Sequence, residues 1–321
     1  MIVFMLAAGL GTRLRPVTNL HPKPCVPFLN VPMGLYAFRY LKSLSVEQLV
    51  INTFHLPEKI TELYETQPYF KGQIDFSHEQ GAILGSSGGL KKASRLFKNQ
   101  TDQTVLMMNA DEILFDYDAE FLKKAHQKHI SENNWATLVV MKHPDAGGKF
   151  GAVWCEHDGQ VKVIGKVRPS ETATPYHYIG FIFLNREILT TIPDGIETNI
   201  FYDILKHQLN VKKVGIHEIS CTWFETGNYA DYFDGTQKIL QRLDPGTQQF
   251  INQYDDSILT QNKTGCSLIS KSMMAHLSQV QLEGFNVISK TTNPASLKSP
   301  GLVENRILFA DSVIEKTEPH T

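Results

Sequence analysis

The residues best equipped for chemistry are concentrated in residues 6–24. Gly9 and Gly11 carry no side chain, so the backbone N–H groups around them can come close to an anion. Arg13 and Arg15 add positive charge, and a guanidinium fork suits phosphate oxygens. Lys23 lies between Pro22 and Pro24, which fix the backbone on both sides and present one ammonium at a defined place. Together these groups describe a cradle for a polyphosphate. Two well-known phosphate patterns are excluded. The third glycine of a dinucleotide fingerprint would fall on Leu14, and the chain has no Gly-Lys-Ser/Thr. The plain alternative is a pair of turn glycines with solvated arginines.

A cradle of this kind needs a strand before it and a sheet around it. Residues 2–6 are a continuous apolar run, as befits a strand buried on both faces. Helical spacing of Leu35, Phe38, Leu41 and Leu44 predicts a helix over 33–44. Strands are expected at 48–53, 73–77, 105–108 and 136–141, with helices at 58–64, 90–97 and 118–129 between them. This alternation predicts an α/β fold with a doubly wound, mostly parallel sheet, whose ligands bind beyond the carboxyl ends of the strands. The stretches 7–15 and 109–111 both follow strands directly, so they are expected on one edge of the sheet. From about Gly151 the texture changes to short strands at 151–155, 161–164 and 178–184 separated by turns, predicting an antiparallel part. A helix over 228–243 is expected to be capped by Asn228 and ended at Asp244-Pro245-Gly246. The polar tail has short β-like pieces. Val303, Leu308 and Val313 recur every five residues, too few positions to establish a repeat. The expected division is therefore 1–244 and a small, irregular, β-rich extension at 245–321.

Composition narrows the function. Thirty-one Lys and Arg against 33 Asp and Glu leave a formal charge of −2, without the basic excess of a nucleic-acid binder. No apolar run is long enough to span a membrane, and residues 1–8 read as a first strand rather than a signal peptide. Cys25, Cys155, Cys221 and Cys266 are widely spaced, without metal-binding spacing, and read as reduced thiols of a cytoplasmic protein. His126 and His129, three apart on a helix, lack an evident third ligand and read as surface histidines. A homo-oligomer is compatible with the sequence.

The run from Ala8 to Pro24, AGLGTRLRPVTNLHPKP, resembles the signature of the sugar-1-phosphate nucleotidyltransferases. Three later stretches resemble the family's motifs in the same order. They are LGSSGGLK from Leu84 (a base-binding loop), LMMNAD ending at Asp111 (a metal-binding strand end) and WFETGN from Trp223 (a second metal site). The resemblance covers residues 1 to about 244. It implies a Rossmann-like nucleotidyltransferase fold and two substrates, a nucleoside triphosphate and a sugar 1-phosphate. Mg²⁺ would be held by Asp111 and Glu225. Arg13 would lie along the β- and γ-phosphates, and Lys23 between the α-phosphate and the sugar phosphate. The implied nucleotide set is Ala7, Ala8, Gly9, Gly11, Thr12, Arg13, Gln80, Gly85, Gly88 and Asp111. Glu79 is an alternative to Gln80 for reading the base edge. Gly85 and Gly88 would let the base and ribose lie against the chain.

The sugar-phosphate set implied in the same way is Lys23, Gly151, Lys166 and Gly180, and here the match thins. The family has Asp where this chain has Glu225, Glu-Lys-Pro where it has Gly165-Lys166-Val167, and often Asn before a glycine where it has Tyr178-Ile179-Gly180. Mannose-1-phosphate guanylyltransferases and N-acetylmuramate-1-phosphate uridylyltransferases are both similar, and the two losses lean toward the second group or an unassigned sugar. Two other readings remain open: a catalytically silent relative that binds a nucleotide sugar and regulates a partner, and a phosphocholine-type cytidylyltransferase.

Overall fold

The computed structural model describes residues 1–65, 67, 70, 72–99, 101–157, 159–255, 257–262, 265–270, 286–288, 306–309 and 312–315. By internal contacts the chain divides into two units, one of Met1–Leu10 and Ala37–Trp223, the other of Gly11–Tyr36 and Phe224–Thr321.

The first unit is built on a nine-stranded sheet. Its centre is β1 (Ile2–Leu6), with its first four residues fully buried, as an apolar run between two neighbours requires. β2 (Gln48–Thr53) and β4 (Thr104–Asn109) flank β1 in parallel, and β3 (Gln73–His78) extends the parallel set beyond β2. In this register Leu6 lies opposite both Asn52 and Asn109, so the carboxyl ends of three strands are level. β5 (Ala136–Met141), β6 (Ala152–Cys155), β7 (Val161–Gly165) and β8 (Thr174–Asn185) follow. The long β8 runs antiparallel to β4, β5 and β6, and β6 is antiparallel to β7. The predicted α/β sheet with an antiparallel part is therefore present. The sequence did not indicate β9 (Val214–Glu218), which pairs in parallel with β5. Ile2, Phe4, Val50, Met107, Leu138 and Ile182 share one core.

Helices α1 (Ala37–Leu41), α2 (Pro57–Glu65), α3 (Gly85–Ala93) and α4 (Phe121–Ser131) also belong to this unit. The helix expected over 33–44 is shorter, because residues 33–36 form a tighter 3₁₀ turn around Gly34, a poor α-helix former. The expectation of surface histidines on α4 is corrected. His129 is buried and bonded to the Thr137 hydroxyl at 3.0 Å, while the His126 ring stacks on Phe183 at 5.5 Å.

In the second unit, α5 (Tyr229–Leu240) starts at Asn228, whose side chain accepts the Asp231 N–H at 3.0 Å. The predicted cap is confirmed, and the helix stops three residues early. Tyr232 and Phe233 are buried, and the Tyr232 ring meets Phe28 edge-on at 5.8 Å. Asp244-Pro245-Gly246 therefore does not end α5, whose last residue is Leu240; instead Asp244 caps α6 (Pro245–Ile251) by accepting the Thr247 N–H at 2.9 Å. Beyond it come β10 (Ser257–Asn262), β11 (Gly265–Ser270), β12 (Asn286–Ile288), β13 (Arg306–Phe309) and β14 (Ser312–Glu315), in one five-stranded sheet. Leu308 pairs directly with Val313 across an antiparallel hairpin, so their five-residue spacing is a hairpin register. Val303 lies outside the described residues. No helix among the described residues is long and apolar enough to cross a membrane, and Cys25, Cys155 and Cys221 are unbridged.

Candidate functional site

Beyond Leu6 the chain leaves the sheet at its carboxyl edge. The Ala7 N–H donates to Asn52 Oδ1 at 2.8 Å, and the Ala110 N–H donates to the Leu6 carbonyl at 3.1 Å. The strand-end turn carrying Asp111 is thus tied to the start of the glycine loop, on the edge that parallel topology predicts. Ala7 and Ala8 are buried, whereas Gly9 is exposed and no atom lies within 4 Å of where its Cβ would be. Asp111 is half-buried.

Its neighbour Glu112 was not singled out by sequence. It accepts from Asn109 Nδ2 at 2.7 Å and from Trp223 Nε1 at 2.9 Å. Gly180 has φ +87°, and a Cβ there would lie 2.5 Å from Glu112 Cδ. The register of β8 against β5 slips between Tyr178 and Phe181, so Gly180 is a bulge glycine backed by Glu112. The one sequence signal for Glu112 was its position beside Asp111.

The base-side residues behave differently from the expectation. Glu79 is buried and already engaged, accepting Asn52 Nδ2 at 2.8 Å and the Leu84 N–H at 2.7 Å. Its carboxylate braces the strand ends, and Gln80 is the exposed member of the pair. A Cβ on Gly85 would lie 2.5 Å from the Thr198 carbonyl oxygen, and one on Gly88 would lie 3.5 Å from the Ile196 carbonyl carbon. Thr198 also accepts the Ser87 N–H at 3.0 Å. The sides from which side chains would project at Gly85 and Gly88 are therefore filled by the 196–198 backbone. Close packing of that segment is by itself a reason for glycine at both positions.

In the second unit the loop closes on itself. Gly11 has φ +60°, and a Cβ there would come within 2.9 Å of Thr18 Cγ2 and 3.5 Å of Lys23 Cβ. The Thr18 hydroxyl donates to the Gly11 carbonyl at 2.8 Å. This turn sets the half-buried Lys23 beside Gly11, with Thr12 and Arg15 exposed. Arg13 is 67% exposed, with Nη2 3.9 Å from Glu225 Oε1. The same Oε1 accepts the Gly227 N–H at 2.7 Å, and a Cβ at Gly227 would lie 2.6 Å from Arg13 Cζ. The Tyr229 hydroxyl donates to the Leu14 carbonyl at 2.9 Å. Residues 225–229 thus form the seat of Arg13, a role for Glu225 that the sequence did not reveal. Among the described residues no group of three or more His, Cys, Asp or Glu side chains is placed to hold a metal ion.

A cavity of about 260 Å³ opens where β6, β7 and β8 meet, lined among others by Phe150, Gly151, Gly165, His177, Tyr178 and Phe201. Gly151 and Gly165 face each other, a Cβ on the first lying 3.9 Å from the second's Cα. Lys166 follows Gly165 and is exposed. Burial, and then the nearby Glu112 charge, push the Tyr178 phenol upward, so it stays protonated. Burial and the neighbouring His143 hold His177 down at about 4, so it is neutral at pH 7.

A family model described as nucleotidyl transferase matches residues 2–242. The chain is 30% identical to mannose-1-phosphate guanyltransferase 2 of Candida glabrata, over 74% of its own length and 64% of the relative's. It is 27% identical to UTP–glucose-1-phosphate uridylyltransferase of Synechocystis, over 75% and 64% respectively. It therefore spans less than two thirds of these relatives' lengths. Among solved structures, UDP-glucose pyrophosphorylase complexed with UDP-glucose shares the fold, with a TM-score of 0.61 at 18% identity, over 74% of this chain and 97% of that one. HddC from Yersinia pseudotuberculosis complexed with GMP-PN does so with a TM-score of 0.59 at 20% identity, over 74% and 99%.

Proposed function

The chain belongs to the nucleotidyl transferase family, and from that premise we propose that it transfers a nucleotidyl group from a nucleoside triphosphate to a sugar 1-phosphate. An oxygen of the sugar phosphate attacks the α-phosphorus. The bond from that phosphorus to the oxygen bridging the β-phosphate breaks, and its electron pair leaves with pyrophosphate. The attacking oxygen is already ionised, so positioning and charge compensation do most of the work, and no strong general base is needed.

The observation that carries this reading is the shared carboxyl edge of β1 and β4. There Asp111 is tied by the Ala110–Leu6 bond to the head of the glycine loop. The open backbone at Gly9 suits close approach of the nucleotide. The exposed Arg13 guanidinium, steadied by Glu225 and Gly227, would hold the departing phosphates. Lys23 would offset charge on the α-phosphate and the incoming sugar phosphate, and Lys166 would contact the sugar phosphate.

Mg²⁺ belongs to the proposal. Asp111 and Glu225 each offer a hard carboxylate oxygen, the donor type this ion prefers. Gly227 holds Oε1 of Glu225, so Oε2 is the oxygen it would present. A bound ion would supply charge neutralisation at the phosphate oxygens. The test is incorporation of labelled pyrophosphate into nucleoside triphosphate, with GDP-mannose, UDP-glucose and UDP-N-acetylglucosamine supplied in turn. Exchange with one of these donors, abolished by EDTA and restored by Mg²⁺, is expected. Binding of nucleotide sugar without exchange from any donor would point instead to the silent regulatory relative.

A further inference from the structure

The loop that carries Arg13 and Lys23 runs on, within the second unit, into a small hairpin in which Pro27–Phe28 pairs with Val31–Pro32. The two turn residues, Leu29 and Asn30, have φ of +51° and +62°. Two successive residues at positive φ suit a two-residue hairpin, but Asn and Gly are the usual occupants, and such tips normally stand in water. Here both residues are buried. A left-handed leucine is disfavoured, and a buried asparagine amide needs a partner.

The asparagine finds that partner beyond residue 242, where the family match ends. Asn30 Nδ2 donates to Ser257 Oγ at 2.8 Å, and the same hydroxyl donates to Asp255 Oδ1. Asn30, Ser257 and Asp255 are 3%, 1% and 2% exposed, so water does not compete for these bonds. A hydroxyl that accepts from an amide and donates to a carboxylate is oriented from both sides. The segment is itself anchored. The Ser257 carbonyl accepts Gln248 Nε2 at 3.0 Å, and the Phe250 ring meets Tyr36 edge-on at 5.0 Å. The Tyr36 hydroxyl donates in turn to the Phe28 carbonyl at 2.8 Å.

The hairpin passes its position on to the cations. The Met33 N–H donates to the Val26 carbonyl at 2.9 Å, the Val26 N–H to the Lys23 carbonyl at 3.0 Å, and the Cys25 N–H to the Pro22 carbonyl at 2.7 Å. Lys23 therefore sits in a turn continuous with the hairpin, and between two prolines its backbone has little freedom of its own. A Cβ on Gly11 would lie 3.5 Å from Lys23 Cβ, so the glycine turn packs on the same place.

We propose that the segment after residue 242 is a positioning element of the phosphate loop. The Asn30–Ser257–Asp255 latch fixes the hairpin, the hairpin fixes Lys23 and Gly11, and a cradle already in place loses less freedom when a polyphosphate binds. The three latch members are positioning residues. The inference rests on the transferase reading for what the loop binds, and gives a role to residues outside the family match.

Hydrogen exchange of the full chain reads the positioning. In Ser257→Ala the Leu14, Cys25 and Val26 amides, bonded to the Gly11, Pro22 and Lys23 carbonyls, should exchange about tenfold faster, while amides of β1 and β2 keep their wild-type rates. Inorganic tripolyphosphate, titrated calorimetrically, should bind about five- to tenfold more weakly. Asn30→Gly accepts φ +62° and loses only the amide, so it should behave alike, and the double variant should lose little more than either single one. Thr137→Val removes a buried hydroxyl from His129 in the first unit and should leave tripolyphosphate affinity within about twofold of wild type. Should Ser257→Ala also lose protection in β1, Asn30→Gly decides alone. Faster exchange confined to residues 27–32 and 257–262 overturns the proposal, as does unchanged tripolyphosphate affinity in both single variants. An equal loss in Thr137→Val, or no binding of tripolyphosphate by the wild-type chain, overturns it too. Pyrophosphate exchange decides the transferase reading separately. Exchange that persists while tripolyphosphate affinity ignores the latch fails the proposal alone. Latch-dependent affinity without exchange from any donor fails the transferase reading alone.

Discussion

The loop that follows β1 and the cavity at β6–β8 are built on opposite plans. The loop works with backbone and exposed charge. Gly9 is bare, Gly11 is folded tightly against Thr18, and Arg13 stands largely in solvent. The cavity is lined by half-buried rings, with the buried His177 imidazole packed on Phe150 and Trp223. Phosphates are alike in every substrate of such a reaction, so one arrangement of N–H groups and cations serves throughout. Sugars differ in their substituents, so the wall around them must change side chain by side chain.

The largest expected effect tests the loop edge. Asp111→Asn should lower turnover by about 100- to 1,000-fold, the usual scale for removing one charge-compensating group from an active site. Thermal unfolding should barely move, since Asp111 is only half-buried. Near-normal turnover would erase the distinction between the loop edge and the rest of the surface. A pair of glycine substitutions sharpens the same contrast. Gly180→Ala must hold φ +87° against the Glu112 side chain and should cost about 2–4 kcal/mol in urea unfolding. Gly9→Ala meets no atom within 4 Å and should leave stability within about 0.5 kcal/mol, yet weaken triphosphate binding. Equal stability losses at both positions would contradict the open backbone at Gly9.

A smaller effect is expected from acid. Burial, its first cause in each case, lowers His129 and His177 from 6.5 to about 4. Both are neutral in the folded chain, while the unfolded chain takes up their protons below about 6.5. The folded state therefore keeps full stability above that pH and loses it as pH falls toward 4. Each site withdraws up to about 3 kcal/mol across that window. Urea midpoints measured from pH 7 to 4.5 should fall, and His177→Phe should fall less steeply than the wild type. Parallel curves would mean that His177 titrates normally, and that the cavity wall is wetter than its packing implies.

How far the sequence revealed all this depended on whether the signal was local. The strands at residues 2–6, 48–53 and 136–141 were readable to the residue, because each is a short run centred on consecutive apolar or β-branched residues. The five-residue strand Val214–Glu218 was not, being too short to show a period. α3 begins at Gly85, against glycine's poor helix propensity. Only the approach of Thr198, more than a hundred residues on, explains why glycine is there. Glu112 and His177 escaped notice for the same reason. One is defined by Trp223 and Gly180, the other by nitrogens that no described residue satisfies.

The smallest expected effect concerns Glu225, which holds Arg13 from outside the loop. Shortening by one methylene withdraws the carboxylate by about 1.5 Å. The bond most at risk is the one from the Gly227 N–H, two residues on. An aspartate accepts from the backbone two residues ahead more readily than a glutamate does, because that geometry is the Asx turn. Glu225→Asp should therefore keep the turn that seats Arg13. Only the 3.9 Å ion contact loosens, and an exposed pair of that kind contributes about 0–1 kcal/mol. Unfolding free energy should stay within about 0.5 kcal/mol, and turnover should be preserved or raised if the carboxylate also serves the metal. A large fall in turnover with unchanged stability would show that the longer side chain is itself part of the site.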